Sequence, residues 1–517
     1  MAKGFGDNTL NTKIKINESI KTAHLLHKNG EIVKAKKLYE KLIASKINNP
    51  IIFYNYGSIL EKENNLENAE DIFQKATKKF PKDPNFCNCL ALVKQRLGNT
   101  NDSEKLFLKA IALNPNFEPG YINLGNLYFS TKRFSEAENL LCKFLRINPE
   151  SELANLNLAT FLTNKGDLKE AEKLLFKVLE INPNSAIAFF YLSRFKNIDK
   201  NISWRDKLFS EKLLENQNNK GKYNLYFARA NINHLQKDYS QSTKNLISAN
   251  NLKISIYESD ATERINFSNS LCKNSFNFES NFKINELKKN HIFIVGMPRS
   301  GSTLVDSIIT LNNDVFDLGE SEALNYAFKR WGNAKKESPL IDFYHKKIEV
   351  NSILSSYITD KNLSNFQYSG LISKQIPNSK IIHCQRNPLD NILSIYRSNF
   401  ASGHKYSSSL IDTAKVYINQ DKLMKKYKEL YPEKIFSINY DNLVSKPENE
   451  IKKLILWLGF EWDDKYLSPH LNKRAVDTTS KIQVRNPINN KSVALWEKYN
   501  ELLKPVLEYF EEVNFKY

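Results

Sequence analysis

HIFIVGMPRSGSTLVDSIITL, residues 291–311, reads as a short buried strand at Ile292–Val295, a turn rich in small residues and a helix starting near Ser302. Strand, loop and helix in that order make an anion cradle. Backbone N–H groups of the loop and first helical turn converge on one spot, and the helix dipole adds partial positive charge there. The spacing Gly296-x4-Gly301-Ser302-Thr303 is that of a Walker A loop, except that Ser302 stands where a nucleotide kinase needs lysine. Without that lysine, triphosphate chemistry loses its main charge on the β- and γ-phosphates. Arg299, inside the loop, is instead suited to grip a smaller terminal anion bidentately. A tight turn with an incidental arginine is the lesser alternative.

Downstream, KIIHCQRNPLDNILSIYRSNF, residues 380–400, repeats the theme: a buried strand at Ile381–Gln385, Arg386 at its carboxyl end, and a helix opened by Pro388. Ligands bind at such strand ends in α/β sheets. Ser394 follows Arg386 by eight residues, about two helical turns into the helix, and Arg397 stands one turn further.

These motifs resemble those of sulfotransferases, which use 3′-phosphoadenosine 5′-phosphosulfate (PAPS). PRSGST resembles that family's 5′-phosphosulfate loop, and the Arg386–Ser394 spacing is similar to its 3′-phosphate motif, with Arg-Asn-Pro replacing the commoner Arg-Asp-Pro. The resemblance covers residues 291–517 and points to the branch holding tyrosylprotein and repeat-fused bacterial sulfotransferases. Leu318-Gly319-Glu320 stands where that branch places its catalytic glutamate. Asp360-Lys361 is similar to its Asp-Lys-x-Pro-x-Asn segment with Leu363 replacing proline, and Tyr440-Asp441-Asn442-Leu443 to its Tyr-Glu-x-Leu. TTSKIQVRNPINNKSVALWEKY, residues 478–499, resembles its closing strand and loop over the donor.

The resemblance implies Glu320 as the base, with Arg299 and Lys361 stabilising the transferring group, and no metal. It implies donor contacts from Arg299, Ser300, Gly301, Ser302, Thr303, Arg386, Ser394 and Tyr440, with Ser480, Arg485 and Lys491 as further candidates. His383 and His404 are rival bases; a histidine within a strand, as His383 is, reads more readily as structural.

Upstream the chain is periodic. Ala35, Ala69, Ser103, Ala137 and Ala171 recur every 34 residues, and Tyr39, Phe73, Phe107, Leu141 and Leu175 follow each by four. Pro81, Pro115, Pro149 and Pro183 keep the same beat. Two amphipathic helices and two turns account for that period: the small residue lets paired helices approach, the large one fills the stack, and proline stops the second helix. FEPGYINLGNLYFSTKRFSEAENLLCKFLRINP, residues 117–149, resembles a tetratricopeptide repeat. Such arrays commonly receive a peptide or protein on their concave face. KDYSQSTKNLISANNLK, residues 237–253, reads as one half of a degenerate helical hairpin.

The expected organisation is thus a tetratricopeptide α-solenoid over residues 1–197, a helical connector over 198–288, and a P-loop-like α/β sulfotransferase domain with a parallel sheet over 289–517. Truncation at residue 197 is expected to leave a domain that still binds PAPS.

At 517 residues, two or three domains are expected, and 12% aromatic content argues for a folded chain. No apolar run approaches the roughly 20 residues of a membrane span. The N-terminal stretch MAKGFGDNTLNTKIKINES lacks an apolar segment after its lysines and reads as a frayed, cytoplasmic start. Five scattered cysteines without a CxxC pair read as reduced thiols. The net charge of +18 divides as +13 over residues 1–290 and +5 over 291–517, a diffuse lysine bias rather than a nucleic-acid patch.

The leading expectation is a PAPS-dependent sulfotransferase acting on a hydroxyl, protein tyrosine among the acceptors and the repeats recruiting a protein. Carbohydrate or small-molecule O-sulfation, a kinase-like nucleotide enzyme, and a repeat scaffold with an inactive domain are the alternatives.

Overall fold

Gly30, Asn64, Gly98 and Lys132 all hold a positive φ, between 60° and 87°, and the 34-residue step between them sets the first half of the chain. Each reverses the backbone after one helix and lets the next run back along it. The resulting hairpins pair Phe5–Lys28 with Ile32–Ala44, Pro50–Lys62 with Leu66–Lys79, Pro84–Arg96 with Thr100–Leu113, and Glu118–Ser130 with Phe134–Ile147. Ala35, Ala69, Ser103 and Ala137 are fully buried at the crossings, as are Tyr39, Phe73, Phe107 and Leu141. Ser103 is tolerated among alanines because its hydroxyl donates to the Ala91 carbonyl at 2.8 Å. Close approach also fixes Gly57, where a Cβ would lie 2.5 Å from the Phe73 ring. The N-terminus read as frayed is helical from Phe5.

The computed structural model describes residues 5–195, 203–275, 289–333, 338–400 and 404–516. The chain forms two compact units, Met1–Phe161 and Leu162–Tyr517. The domain boundaries expected after residues 197 and 288 fall outside the described residues.

The second unit begins with repeat-like helices. Leu168–Ile181 and Ala186–Leu192 follow a turn at Gly166 with φ 101°. Asn219–Leu235 and Tyr239–Ile256 then make a complete hairpin, turned at Lys237 with φ 63°. Ser242 donates to the Ala230 carbonyl at 2.9 Å, twelve residues back like Ser103, and Leu246 is buried four residues on. The degenerate half-hairpin of the sequence is therefore a whole one.

The α/β part is a five-stranded parallel sheet of order β2-β3-β1-β4-β5, with β1 Asn290–Gly296, β2 Val315–Asp317, β3 Tyr357–Asp360, β4 Ser379–Gln385 and β5 Ile435–Asn439. Successive β1 side chains serve opposite faces, as the two-residue strand period requires. Phe293 and Val295 join a core with Leu324, Ile372 and Met424, while Ile292 and Ile294 join one with Val305, Ile308 and Leu454. A third core binds the helical hairpin to the α/β part: Phe190, Phe227 and Leu246 pack with Leu389, Leu393 and Leu503. Burying each such side chain contributes about 1.5–3 kcal/mol, so the segment expected to be a connector is integral to this unit.

The segment 478–499, expected to hold a closing strand, instead forms 3-10 turns at Gln483–Arg485 and Leu495–Tyr499. Pro487 offers no N–H to a ladder, and the Asn486 side chain donates to the Ile482 carbonyl at 3.0 Å, a local bond that competes with strand pairing.

Candidate active site

Each of the five strands delivers a candidate site residue just beyond its carboxyl end: Arg299 after β1, Glu320 after β2, Lys361 after β3, Arg386 after β4 and Tyr440 after β5. The loop after β1 is shaped by close contacts. Gly296 has φ 144°, and a Cβ there would sit 2.5 Å from the Cys384 carbonyl oxygen. The Ser300 hydroxyl donates to the Met297 carbonyl at 2.7 Å and holds the turn. Arg299 itself takes φ 68°, and Gly301 caps the helix Ser302–Ile309 with φ 91°. A Cβ on Gly301 would strike the Tyr440 ring at 2.5 Å, so glycine is what lets β5 close on the loop.

Arginines converge here. Arg299 Nε donates to the Ser394 hydroxyl at 3.1 Å, and its Nη1 to the Ser480 hydroxyl and, at 3.4 Å, to Thr479 Oγ1. Arg386 donates to the Arg299 carbonyl at 3.2 Å and to the Ser492 carbonyl at 2.6 Å, with its guanidinium 4.8 Å from the Tyr440 ring centroid. The Tyr440 hydroxyl meets the Ser492 hydroxyl at 2.9 Å. Burial pulls Arg299 down to about 9, helped by the neighbouring Arg386, Arg194 and Arg397. Arg194 and Arg397 are shifted down by burial as well. None of these four forms an ion pair with a carboxylate among the described residues. They line one cavity of about 460 Å³, with Asp390 its acidic member. Asp390 is held by the backbone N–H groups of Ala494 and Trp496 at 2.7 and 2.8 Å.

Of the sequence candidates, Arg299, Gly301, Thr303, Arg386, Ser394, Tyr440, Ser480 and Lys491 line this cavity. Ser300 and Ser302 stand in the loop and at the helix start without lining it. Arg485 is engaged elsewhere, donating to the carbonyls of Asn472 at 2.6 Å, Arg474 at 2.6 Å and Asn164 at 3.0 Å. Asn387, where the family pattern has aspartate, caps the helix Pro388–Tyr396 by accepting from the N–H groups of Leu389 and Asp390.

Glu320 and Lys361 form a second group. Lys361 Nζ donates to Glu320 Oε1 at 2.9 Å, and the Lys361 N–H to the Gly319 carbonyl at 2.9 Å. Neighbouring Asp360 accepts from Tyr344, the Asn362 N–H and Asn365, and burial raises it to about 7.

Both rival histidines sit in structural settings, His383 buried and His404 partly buried. His383 accepts from Gln420 Nε2 at 2.7 Å, and burial pushes it down to about 3. His404 packs on Phe400 and Tyr406, and burial beside Arg264 and Lys253 pushes it to about 4. Neither lines the cavity, and neither do Glu320 and Lys361.

Two residues gave no sequence signal. Arg474 bridges Asp306 and Asp317 at 2.6 Å each, tying the C-terminal segment to the loop helix. Arg194, just past the helix Ala186–Leu192, reaches the cavity from the repeat-like helices. Among the described residues no cluster of His, Cys, Asp and Glu suits a metal ion, and no helix is long and apolar enough to cross a membrane.

Residues 291–464 match the model of the sulfotransferase family, and residues 20–84, 119–151 and 154–185 match tetratricopeptide repeat models. An uncharacterized protein of Aquifex aeolicus (strain VF5) is 32% identical over 247 residues, 43% of this chain. The match spans only about a third of that relative's length, 32%. A Caenorhabditis briggsae protein named "Putative protein-tyrosine sulfotransferase" is 26% identical over 230 residues, covering 40% of this chain and 80% of that protein. Among solved structures, a tetratricopeptide repeat protein from Parabacteroides merdae ATCC 43184 is 20% identical with TM-score 0.35, covering 46% of this chain and 93% of its own. The repeat protein YrrB is 20% identical with TM-score 0.28, covering 37% of this chain and 98% of its own.

Proposed function

From a chain that carries a sulfotransferase-family domain preceded by tetratricopeptide repeats, we propose a PAPS-dependent sulfotransferase that moves a sulfuryl group to a hydroxyl, protein tyrosine being the favoured acceptor. The observation that carries the donor assignment is the cavity lined by four arginines, Arg386 buried and Arg194, Arg299 and Arg397 partly buried, with no carboxylate paired to them among the described residues. Burying like charges together is costly unless an anion joins them. Arg386 Nε is buried with no hydrogen-bond partner.

These residues fit a doubly phosphorylated nucleotide. Arg299 and the backbone of Ser300–Thr303 would hold its 5′ end, and Arg386 with Ser394 its 3′-phosphate. When bound, PAPS supplies the sulfuryl group and a phosphate leaving group.

The chain's own residues do the rest. Glu320, half exposed, is accessible to an acceptor hydroxyl and takes its proton on a carboxylate oxygen. Lys361 orients that carboxylate through the Nζ–Oε1 bond and adds positive charge within electrostatic reach of Asp306 in the helix after the anion loop. Arg299 places further charge where it develops during an in-line transfer, for which phosphoryl transfer is the physical analogy. The likeness to the Caenorhabditis briggsae protein supports tyrosine as acceptor, and the repeats would recruit a protein substrate.

Calorimetry tests the donor assignment. The desulfated product, 3′-phosphoadenosine 5′-phosphate (PAP), should bind and ATP should bind far more weakly. Equal or tighter ATP binding would return the domain to nucleotide-kinase chemistry.

A further inference from the structure

The cavity has a wall that the α/β part does not build. Phe190, Arg194, Asn231 and His234, from the helices before β1, line it together with Arg299 and Arg386. Arg194 Nη2 donates to the Thr479 carbonyl at 2.7 Å, and the Thr479 hydroxyl accepts from Arg299 at 3.4 Å, so one residue joins the two cations.

The placement of Arg194 is itself built. Asn231 Nδ2 donates to the Ser193 hydroxyl at 3.0 Å, and that hydroxyl donates to the Phe190 carbonyl at 2.7 Å, fixing the turn that ends the helix Ala186–Leu192. Behind it, His234 Nδ1 meets the Tyr499 hydroxyl at 2.8 Å, and Arg397 lies 5.5 Å from the Tyr499 ring centroid. Burial beside Arg397 keeps His234 uncharged, pushed down to about 3.

A structural arginine is held by several acceptors, as Arg485 is by three backbone carbonyls, or by a carboxylate partner. Arg194 has no carboxylate partner among the described residues and sits within electrostatic reach of Arg299 and Lys481, both cations. Such crowding is unfavourable in the empty cavity and becomes favourable when a polyanion enters.

Resting on the donor reading above, we propose that Arg194 is a donor-binding residue and that the helices carrying Phe190, Asn231 and His234 form one wall of the nucleotide site. Arg194 contributes a fourth cation to the nucleotide's phosphates, and the Phe190, Asn231 and His234 side chains bound the nucleoside. The repeat-like helices are then part of the sulfotransferase site rather than an appendage to it.

The test uses the full-length chain and PAP. Arg194→Gln should weaken PAP binding roughly 10- to 100-fold, the loss of a charge-assisted hydrogen bond, with the unliganded melting temperature close to wild type. Unchanged PAP affinity in Arg194→Gln, with wild type binding PAP, would overturn this inference and leave the donor reading intact. No PAP binding by wild type would overturn the donor reading itself. Should the variant fail to fold, phenylglyoxal modification of wild type, mapped by mass spectrometry, decides: PAP should shield Arg194, and equal modification with and without PAP would overturn the assignment.

Discussion

Lys361 Nζ lies 2.9 Å from Glu320 Oε1, and the two differ in exposure, the lysine at 2% and the glutamate at 50%. The buried member is anchored and the exposed member is presented. The Lys361 N–H bonds the Gly319 carbonyl, and the Gly319 N–H bonds Asp317 Oδ1 at 2.6 Å, so β3 and the loop after β2 are stitched together around the pair. A carboxylate held in this way can meet an acceptor hydroxyl without searching for its orientation.

Glu320→Gln should therefore lower turnover by roughly 10²–10⁴-fold while leaving PAP affinity within a factor of about two. Calorimetry and steady-state transfer on one preparation separate the two effects. Wild-type turnover in this variant would remove Glu320 from the base position.

Truncation distinguishes recruitment from donor binding. Residues 162–517 form one compact unit that retains Arg194, whereas a chain starting at residue 198 lacks it. The longer fragment should bind PAP like the full chain yet lose kcat/KM on a protein acceptor. The shorter should lose at least tenfold in PAP affinity. Full kcat/KM for the 162–517 fragment on a protein acceptor would leave the first unit without a recruiting role.

The pH dependence of stability should carry two opposite signatures. His383 is depressed to about 3 by burial, so the unfolded chain takes a proton that the folded chain refuses, and stability falls as pH drops below about 6.5. Between pH 7 and 5 this one residue costs roughly 2 kcal/mol. Asp360, raised to about 7 by burial, keeps a proton that the unfolded chain gives up, and its contribution is lost as pH rises from about 4 to 7. The melting temperature of His383→Gln relative to wild type should thus improve on acidification, and that of Asp360→Asn on alkalinisation. A pH-independent difference in either case would contradict the protonation state given to that residue.

Arg474→Met should destabilise the second unit by roughly 3–5 kcal/mol, because it leaves Asp306 fully buried without its cation. Adding Asp306→Asn should recover a large part of that loss. Denaturant midpoints for the two single variants and the double variant give the coupling; additive losses would show that the bridge is not what holds the segment.

The repeat was legible because its signals are local and periodic: a turn residue, a small residue five positions later and a large one after four more. Even Ser242 and Leu246 obey that rule, which is why residues 237–253 read as half of a hairpin that the structure completes. The anion loop was legible for the same reason, with Gly296, Arg299 and Gly301 within six residues. Arg194 and Arg474 were not, since each acts through partners far along the chain and belongs to no local pattern. Arg485 shows the converse: it lies in a segment resembling a donor-binding loop, yet backbone carbonyls occupy its guanidinium. Composition reveals a cation but not the carbonyl that will claim it.

The most direct measurement is transfer of radioactive sulfur from labelled PAPS by the full-length chain into a cell extract, run beside Arg299→Ala. Wild type should label a discrete acceptor, on tyrosine if the acceptor is a protein, and Arg299→Ala should reduce that label at least tenfold. An extract labelled no more with wild type than without enzyme, together with no detectable binding of PAP, would contradict the account.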